Sequence, residues 1–241
     1  MDIITKAIAL KTTDYGESDK FILLYSLDYG KISVHAKGIR KAKAKLKFAG
    51  DTFCFGNYEI AQTGDRLVLK TCEQLESFYT LREDIVAYYS ACAIAECLVN
   101  YTEEGQSEPQ LFVETLRALE QLVLGTNPLT VVLRYLLGFV KLQGFALDFK
   151  HCAECGEIRK KMFLDFQKGG VVCDDHRTVE SLPLSAGVVS ACNLLTDMPF
   201  DKLKTVTFSG ELLKDALGDM SKYISHSFFP NKSLAELLHL A

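Results

Sequence analysis

The 241-residue chain has no segment long and apolar enough to span a bilayer. Its most apolar stretch, Leu129 to Val140, is cut by Arg134 and preceded by Asn127-Pro128. No secretory leader is expected either. Asp2 stands where a signal peptide carries its basic region, and no long apolar run follows it. Internal repeats and low-complexity linkers are also absent. The expectation is a soluble, cytoplasmic protein with no membrane partner, whose eight cysteines stay reduced. With 48% hydrophobic and 24% charged residues, wholesale disorder is excluded. At ~150 residues per domain the length fits one large or two small domains. A chain of this size buries roughly 70% of its unfolded surface and needs no disulfide staples.

Familiar catalytic signatures are lacking too. There is no Gly-rich phosphate loop, no Gly-x-Ser-x-Gly elbow and no His-Glu-x-x-His helix. A zinc deaminase places His-x-Glu upstream of its Cys-x-x-Cys pair, and the nearest candidate here, His35-Ala36-Lys37, lacks the acid. Asp174-Asp175 could hold magnesium, but adjacent carboxylates are more often solvated. Five scattered histidines define no triad. The reading is a protein that is not an enzyme.

What is present is unevenly spread. The whole chain has 27 Lys/Arg against 31 Asp/Glu, a net charge of −4. Residues 1–50 hold ten bases against five acids, a net of +5. Residues 51–150 hold seven bases against fourteen acids, a net of −7, and the remainder comes to −2. A polyanion responds to the local field, so the acidic total hides a basic end.

That basic end reads as strands. Thr5 to Lys11 alternates, and Phe21 to Ser26 is an apolar run rich in β-formers. Asp28-Tyr29-Gly30-Lys31 is turn chemistry before Ile32-Ser33-Val34, which predicts a hairpin. Thr52 to Ile60 and Leu67 to Leu69 follow, with Thr63-Gly64-Asp65 as the turn between them. Five short strands with no room for helical crossovers predict a small β-barrel or sandwich.

The middle of the chain is helical. Thr80-Leu81-Arg82-Glu83 reads as a capping box for a helix running to about Tyr101. Ser107-Glu108-Pro109-Gln110 reads as a second box, with Gly125 as the stop. Asn127-Pro128 opens a third helix that Gly144 closes. Three such helices make a small antiparallel bundle. Later helices are expected at 184–196, 210–227 and 232–240.

Cys152-Ala153-Glu154-Cys155-Gly156 is followed seventeen residues later by Cys173-Asp174-Asp175-His176. A Cys-x-x-Cys loop sets two thiolates on one side of a tight turn, and Gly156 can adopt the backbone that turn requires. Phe163 to Phe166 and Val171-Val172 flank Gln167-Lys168-Gly169-Gly170, a hairpin that would return the second pair to the first. Three sulfurs and one imidazole nitrogen make a closed tetrahedral site that suits one structural zinc ion. His151 competes with His176 as the fourth ligand, and the symmetry of the spacing favours His176. Cys54, Cys72, Cys92, Cys97 and Cys192 read as small buried apolar side chains.

From Lys37 to Lys47 the chain carries Lys37, Arg40, Lys41, Lys43, Lys45 and Lys47 and no acid. An extended, mobile loop is expected there, able to track a phosphate backbone. If all six bases neutralise phosphates of a single strand, log K falls against log salt with a slope of roughly −4. The aromatic residues around this end can stack on bases, although most of them suit a barrel core better.

Tyr15-Gly16-Glu17-Ser18-Asp19-Lys20, Gly30-Lys31 and Ala36-Lys37-Gly38-Ile39-Arg40-Lys41 resemble the opening of the bacterial RecO family. Cys152 to Gly156, followed by Gly169-Gly170-Val171-Val172-Cys173, resembles that family's zinc module. The resemblance implies a multidomain α+β protein. Residues 1–79 would form an OB-fold that binds DNA. Residues 80–147 and 181–241 would form a helical domain, with a zinc-binding knuckle at 148–180 inserted in it. It implies a DNA repair and recombination mediator that binds single- and double-stranded DNA, anneals complementary strands and associates with the nucleoid during repair. With RecR, such a protein helps load RecA onto strands coated by single-stranded DNA-binding protein, whose acidic, Phe-ended tail meets the helical domain. The family's basic loop falls on Lys37, Arg40 and Lys41, and its metal site on Cys152, Cys155, Cys173 and His176. This sequence departs at the last position, where four-cysteine members have Cys. Arg134 and Lys141, seven apart on one helix face, stand out in an acidic domain, and a solvated face explains them equally well. A second reading is a zinc-ribbon module that assembles a transcription or translation complex. Only a mediator accelerates strand annealing.

Overall fold

The computed structural model describes residues 2–64 and 66–241. Met1 and Asp65, the last residue of the expected Thr63-Gly64-Asp65 turn, lie outside the described residues. Five strands open the chain: β1 (Asp2–Tyr15), β2 (Asp19–Ser26), β3 (Gly30–Ala36), β4 (Phe55–Thr63) and β5 (Arg66–Glu76). They pair in the order β1-β2-β3-β5-β4 and close into a barrel, the OB-type arrangement. The sandwich alternative therefore falls away. Every pairing is antiparallel except β3 with β5, which touch in parallel only at Val34↔Leu67 and His35↔Val68. Ile22 and Leu24 on β2, Ile32 and Val34 on β3, and Tyr58 and Ile60 on β4 fill the interior. Alternate residues of one strand share a face, so this period of two is what the sequence showed.

Strand limits differ from expectation at several ends, most of all in β1, in β4 and in β5, which runs from Arg66 to Glu76 where only Leu67 to Leu69 is expected. β1 extends well beyond Thr5–Lys11 because residues 2–8 pair with β4 while residues 7–15 pair with β2. A strand serving two neighbours must be long, and a bulge between Ala9 and Lys11 bends it. β4 starts at Phe55 and not at Thr52, because Phe53 takes a left-handed φ of 73° and buries its ring.

Among the described residues six α-helices follow: α1 (Ile85–Tyr101), α2 (Pro109–Val123), α3 (Pro128–Leu142), α4 (Ala186–Leu195), α5 (Gly210–Ser227) and α6 (Lys232–Leu240). The first cap is Asp84 and not Thr80, since the amides of Val86 and Ala87 donate to Asp84 Oδ1 at 2.8 and 2.9 Å. Thr80 to Glu83 instead lie in a 3-10 turn. Ser107, the expected second cap, donates its hydroxyl to the Leu27 carbonyl at 2.8 Å. The third start holds: Asn127 accepts from the Thr130 amide at 3.1 Å, with Pro128 as first helical residue. Every residue from Leu129 to Val140 is buried, so the most apolar run is a core helix. Among the described residues no helix is long and apolar enough to cross a membrane.

Between α3 and α4 a small sheet forms from β6 (Met162–Asp165), β7 (Gly170–Cys173) and β8 (Leu182–Leu184), in the order β7-β6-β8. The β6–β7 hairpin is the expected one. β8 carries Pro183, which suits only an edge strand and hides the strand signal in the sequence. The chain forms two compact units, Met1–Thr80 with Ala95–Val113 and Leu81–Ile94 with Glu114–Ala241.

Candidate metal centre and nucleic-acid interface

The Cys-x-x-Cys knuckle closes on itself. The Gly156 amide donates to the Cys152 carbonyl at 2.8 Å, and Gly156 has a φ of 71°, a region glycine enters without penalty. The Ala153 amide donates to the Val171 carbonyl at 2.9 Å, which ties the knuckle to β7. Cys173 ends β7 opposite Met162, and His176 sits on the 3-10 turn that follows. The ligand atoms of Cys152, Cys155, Cys173 and His176 consequently lie within 4.8 Å of one another. His176 Nδ1 is 3.2 Å from Cys173 Sγ and 3.7 Å from Cys152 Sγ. Tetrahedral zinc bonds to sulfur and nitrogen put those atoms ~3.6 Å apart, so the cradle has the size the ion requires. His151 is turned away and pairs with Asp148 at 2.8 Å.

The thiols are poised unequally. Burial opposes ionisation of Cys152, yet the backbone amides of Cys155, Cys173 and Glu154 outweigh it and bring the thiol down to about 6. The Glu157 amide favours ionised Cys155, but burial and the neighbouring thiols prevail and raise it. Such a group of three sulfurs and an imidazole can hold a metal ion. Asp174 and Asp175 face away from this chemistry, paired with Arg177 at 3.0 Å and Arg159 at 3.7 Å. Of the other five cysteines, Cys54, Cys72, Cys97 and Cys192 are buried and Cys92 is half-buried.

The basic segment 37–47 is not extended. It folds as successive tight turns, with the Lys41 amide donating to Gly38 O at 3.1 Å and the Ala44 amide to Lys41 O at 3.0 Å. Ile39 is buried, and Leu46 packs on the barrel core, so apolar plugs anchor a chain whose six basic side chains all point to solvent. Lys37, Lys41 and Lys45 come together with Lys70 around a groove of about 500 Å³. Lys70 is already compensated by Asp2 at 2.9 Å and Glu59 at 2.7 Å. Arg40 points instead to the end of β1, where it pairs with Asp14 at 3.3 Å. Lys43 and Lys47 do not line the groove.

The β1–β2 turn holds this segment by its root. Asp19 accepts from the Gly38 amide at 2.7 Å and lies 2.9 Å from His35 Nε2, while the Arg40 amide donates to Ser18 O. The Gly38 amide and the Ser18 hydroxyl hold the Asp19 carboxyl below the usual carboxylate range. The Tyr15–Lys20 motif is thus a clamp. Sequence reasoning missed it because the motif is local and its partner lies some twenty residues away.

Family comparison decides what this pairing of barrel and metal cradle belongs to. The family description "Recombination protein O N terminal" matches residues 1–78, and "Recombination protein O C terminal" matches residues 82–235. The chain belongs to the RecO family. The DNA repair protein RecO of Clostridium novyi (strain NT) is 27% identical over 237 residues, 98% of this chain and 93% of that protein. That of Desulfitobacterium hafniense (strain DSM 10664 / DCB-2) is 30% identical over 224 residues, covering 90% of this chain and 81% of the relative. That of Bacillus subtilis (strain 168) is 29% identical over 178 residues, 74% of this chain and 69% of the relative. Membership supports a role in DNA repair and recombination. Arg134 lies in the core beside Glu114, at 3.1 Å, and Lys141 at the surface beside Asp197. The two bases therefore make no common basic face.

Proposed function

We propose that the chain is a recombination mediator that binds single- and double-stranded DNA through its barrel and anneals complementary strands. With RecR it helps load RecA onto strands coated by single-stranded DNA-binding protein, whose acidic tail its helical part engages. It does this without catalytic residues, in the cytoplasm and at the nucleoid. The observation that carries the reading is the groove into which Lys37, Lys41 and Lys45 converge on an OB-type barrel. Annealing is opposed by phosphate repulsion between two strands, and a cluster of ammonium groups lowers that repulsion. Lys43 and Lys47, on the same segment, add to the positive field.

The metal cradle holds one structural zinc ion through Cys152, Cys155, Cys173 and His176. Bound zinc locks the knuckle to the hairpin, and the closed ligand set leaves no place for a reacting water. The functional division follows as residues 1–79 for DNA binding, 80–147 and 181–241 as the helical part, and 148–180 as the inserted zinc knuckle. The test is annealing of complementary oligonucleotides at low salt. The wild-type chain is expected to accelerate pairing, and a Lys37/Lys41/Lys45→Ala variant to lose most of that acceleration. Pairing no faster with wild-type protein than without it overturns the mediator reading and favours an assembly module.

A further inference from the structure

Beside the lysine groove, the barrel carries an aromatic cluster that phosphate binding does not use. Phe21 stacks on His35 with ring centroids 5.0 Å apart and planes 25° from parallel. Tyr15 meets Phe21 edge-on at 5.0 Å and His35 at 5.5 Å. These near-equal distances place Tyr15 at the side of the stacked pair. A ring covering the far face of Phe21 would lie much farther from His35. Phe21 also lines a cavity of about 470 Å³ with Lys31, Ser33, Arg66, Leu67 and Glu104. That volume falls within the ~300–1,000 Å³ typical of small-molecule sites.

We propose that Phe21 is a stacking platform for one unpaired base of single-stranded DNA, which enters this cavity while the lysine groove holds the neighbouring phosphates. The inference rests on the DNA-binding reading and adds base contact to it. Three observations carry it. The cavity combines an aromatic wall with the cation Arg66 and with Lys31, whose ammonium also donates to the Val99 carbonyl at 2.7 Å, the pairing of stacking and charge that single-strand sites use. It follows the lysine groove along the same two strands, since Ile32 and Leu67 line one and Ala36 and Leu69 the other. Asp19 binds both His35 behind Phe21 and Gly38 at the root of the lysine segment, which keeps platform and groove in one register. Ser33 and Glu104 offer polar groups to a base edge. Tyr15, half exposed, closes the side.

The chain contains no tryptophan, so a Phe21→Trp variant reports from this position alone. Its fluorescence is expected to be quenched by an oligo-dT strand and unchanged by an abasic strand of equal length that binds the same groove. In parallel, Phe21→Leu is expected to weaken oligo-dT binding about tenfold with an unchanged salt slope, because stacking and not charge is lost. Its binding to the abasic strand should equal that of wild type. Quenching by both strands, no quenching by bound oligo-dT, or full affinity in Phe21→Leu overturns the platform. Failure of the wild-type chain to bind either strand is a different result, because it removes the DNA-binding reading itself.

Discussion

Arg134 and Asp165 are both charged residues buried from solvent. Arg134 is buried, with Nε donating to the Met198 carbonyl at 2.6 Å and its guanidinium 4.7 Å above the Phe200 ring. A Cβ added at Gly138 would come within 2.4 Å of Arg134 Nη1, so the glycine on the next turn makes room for the side chain. The sequence displayed Arg134 as a charge interrupting an apolar run and could not show its partners, which come from α2 and from residues 198–200. Asp165 is fully buried and accepts from the Lys168 amide at 2.9 Å, the Thr178 hydroxyl at 2.7 Å and the Ser181 hydroxyl. Burial opposes its ionisation, but these donors prevail and bring the carboxyl down to about 2 from 3.8. A depressed carboxyl contributes stability above its unfolded value, and that contribution is lost as pH falls through the folded value. Asp165→Asn should therefore lose about 2 kcal/mol in urea unfolding at pH 7. The gap to wild type should narrow between pH 4 and pH 2, the interval from the ordinary value to the folded one. A gap independent of pH would mean the carboxylate charge is not what the hairpin uses.

Elements were legible where local chemistry alone decides them. Asn127-Pro128 and the β6–β7 hairpin could be read directly, because a cap or a turn needs only its own few residues. Where a distant group takes a side chain, local reading fails: Ser107 looks like a cap and serves the Leu27 carbonyl. The same holds for Gly30. Its turn chemistry was plain, but the reason for glycine is also remote. Gly30 has a φ of 61°, and an added Cβ would sit 1.8 Å from the Gln106 carbonyl oxygen. Lys31 next to it donates to Val99 O at 2.7 Å. Gly30→Ala should consequently cost about 3 kcal/mol, seen as a lower urea midpoint, because both strain and overlap with backbone arise. Gly64→Ala, which also has positive φ but meets nothing within 4 Å, should cost about 1 kcal/mol. Equal losses at both sites would show that the approach of residue 106 is not tight.

At the scale of the molecule, the roles proposed for the metal cradle and the basic groove are separate, and the two should fail separately. Metal analysis of the chain purified without chelators is expected to find about one zinc ion, bound because a closed Cys/His set stabilises the folded state. His176→Cys should keep the ion and His151→Ala should leave it unaffected, whereas Cys173→Ser should lose it and lower Tm. Loss of zinc in His151→Ala together with retention in His176→Ala would exchange the fourth ligand. The cradle was readable in the sequence because ligand spacing is short-range. The groove was readable only in part, since the charge run was plain but its selection into Lys37, Lys41 and Lys45 depends on turns anchored by Ile39 and Leu46.

The decisive measurement is binding to labelled single-stranded DNA across a salt series, with wild-type protein beside Lys37/Lys41/Lys45→Ala. Loss of three phosphate contacts should flatten the slope of log K against log salt by about 2 while the variant keeps its Tm. Tight wild-type binding with the same slope in both proteins would contradict the assignment of phosphate contacts to this groove.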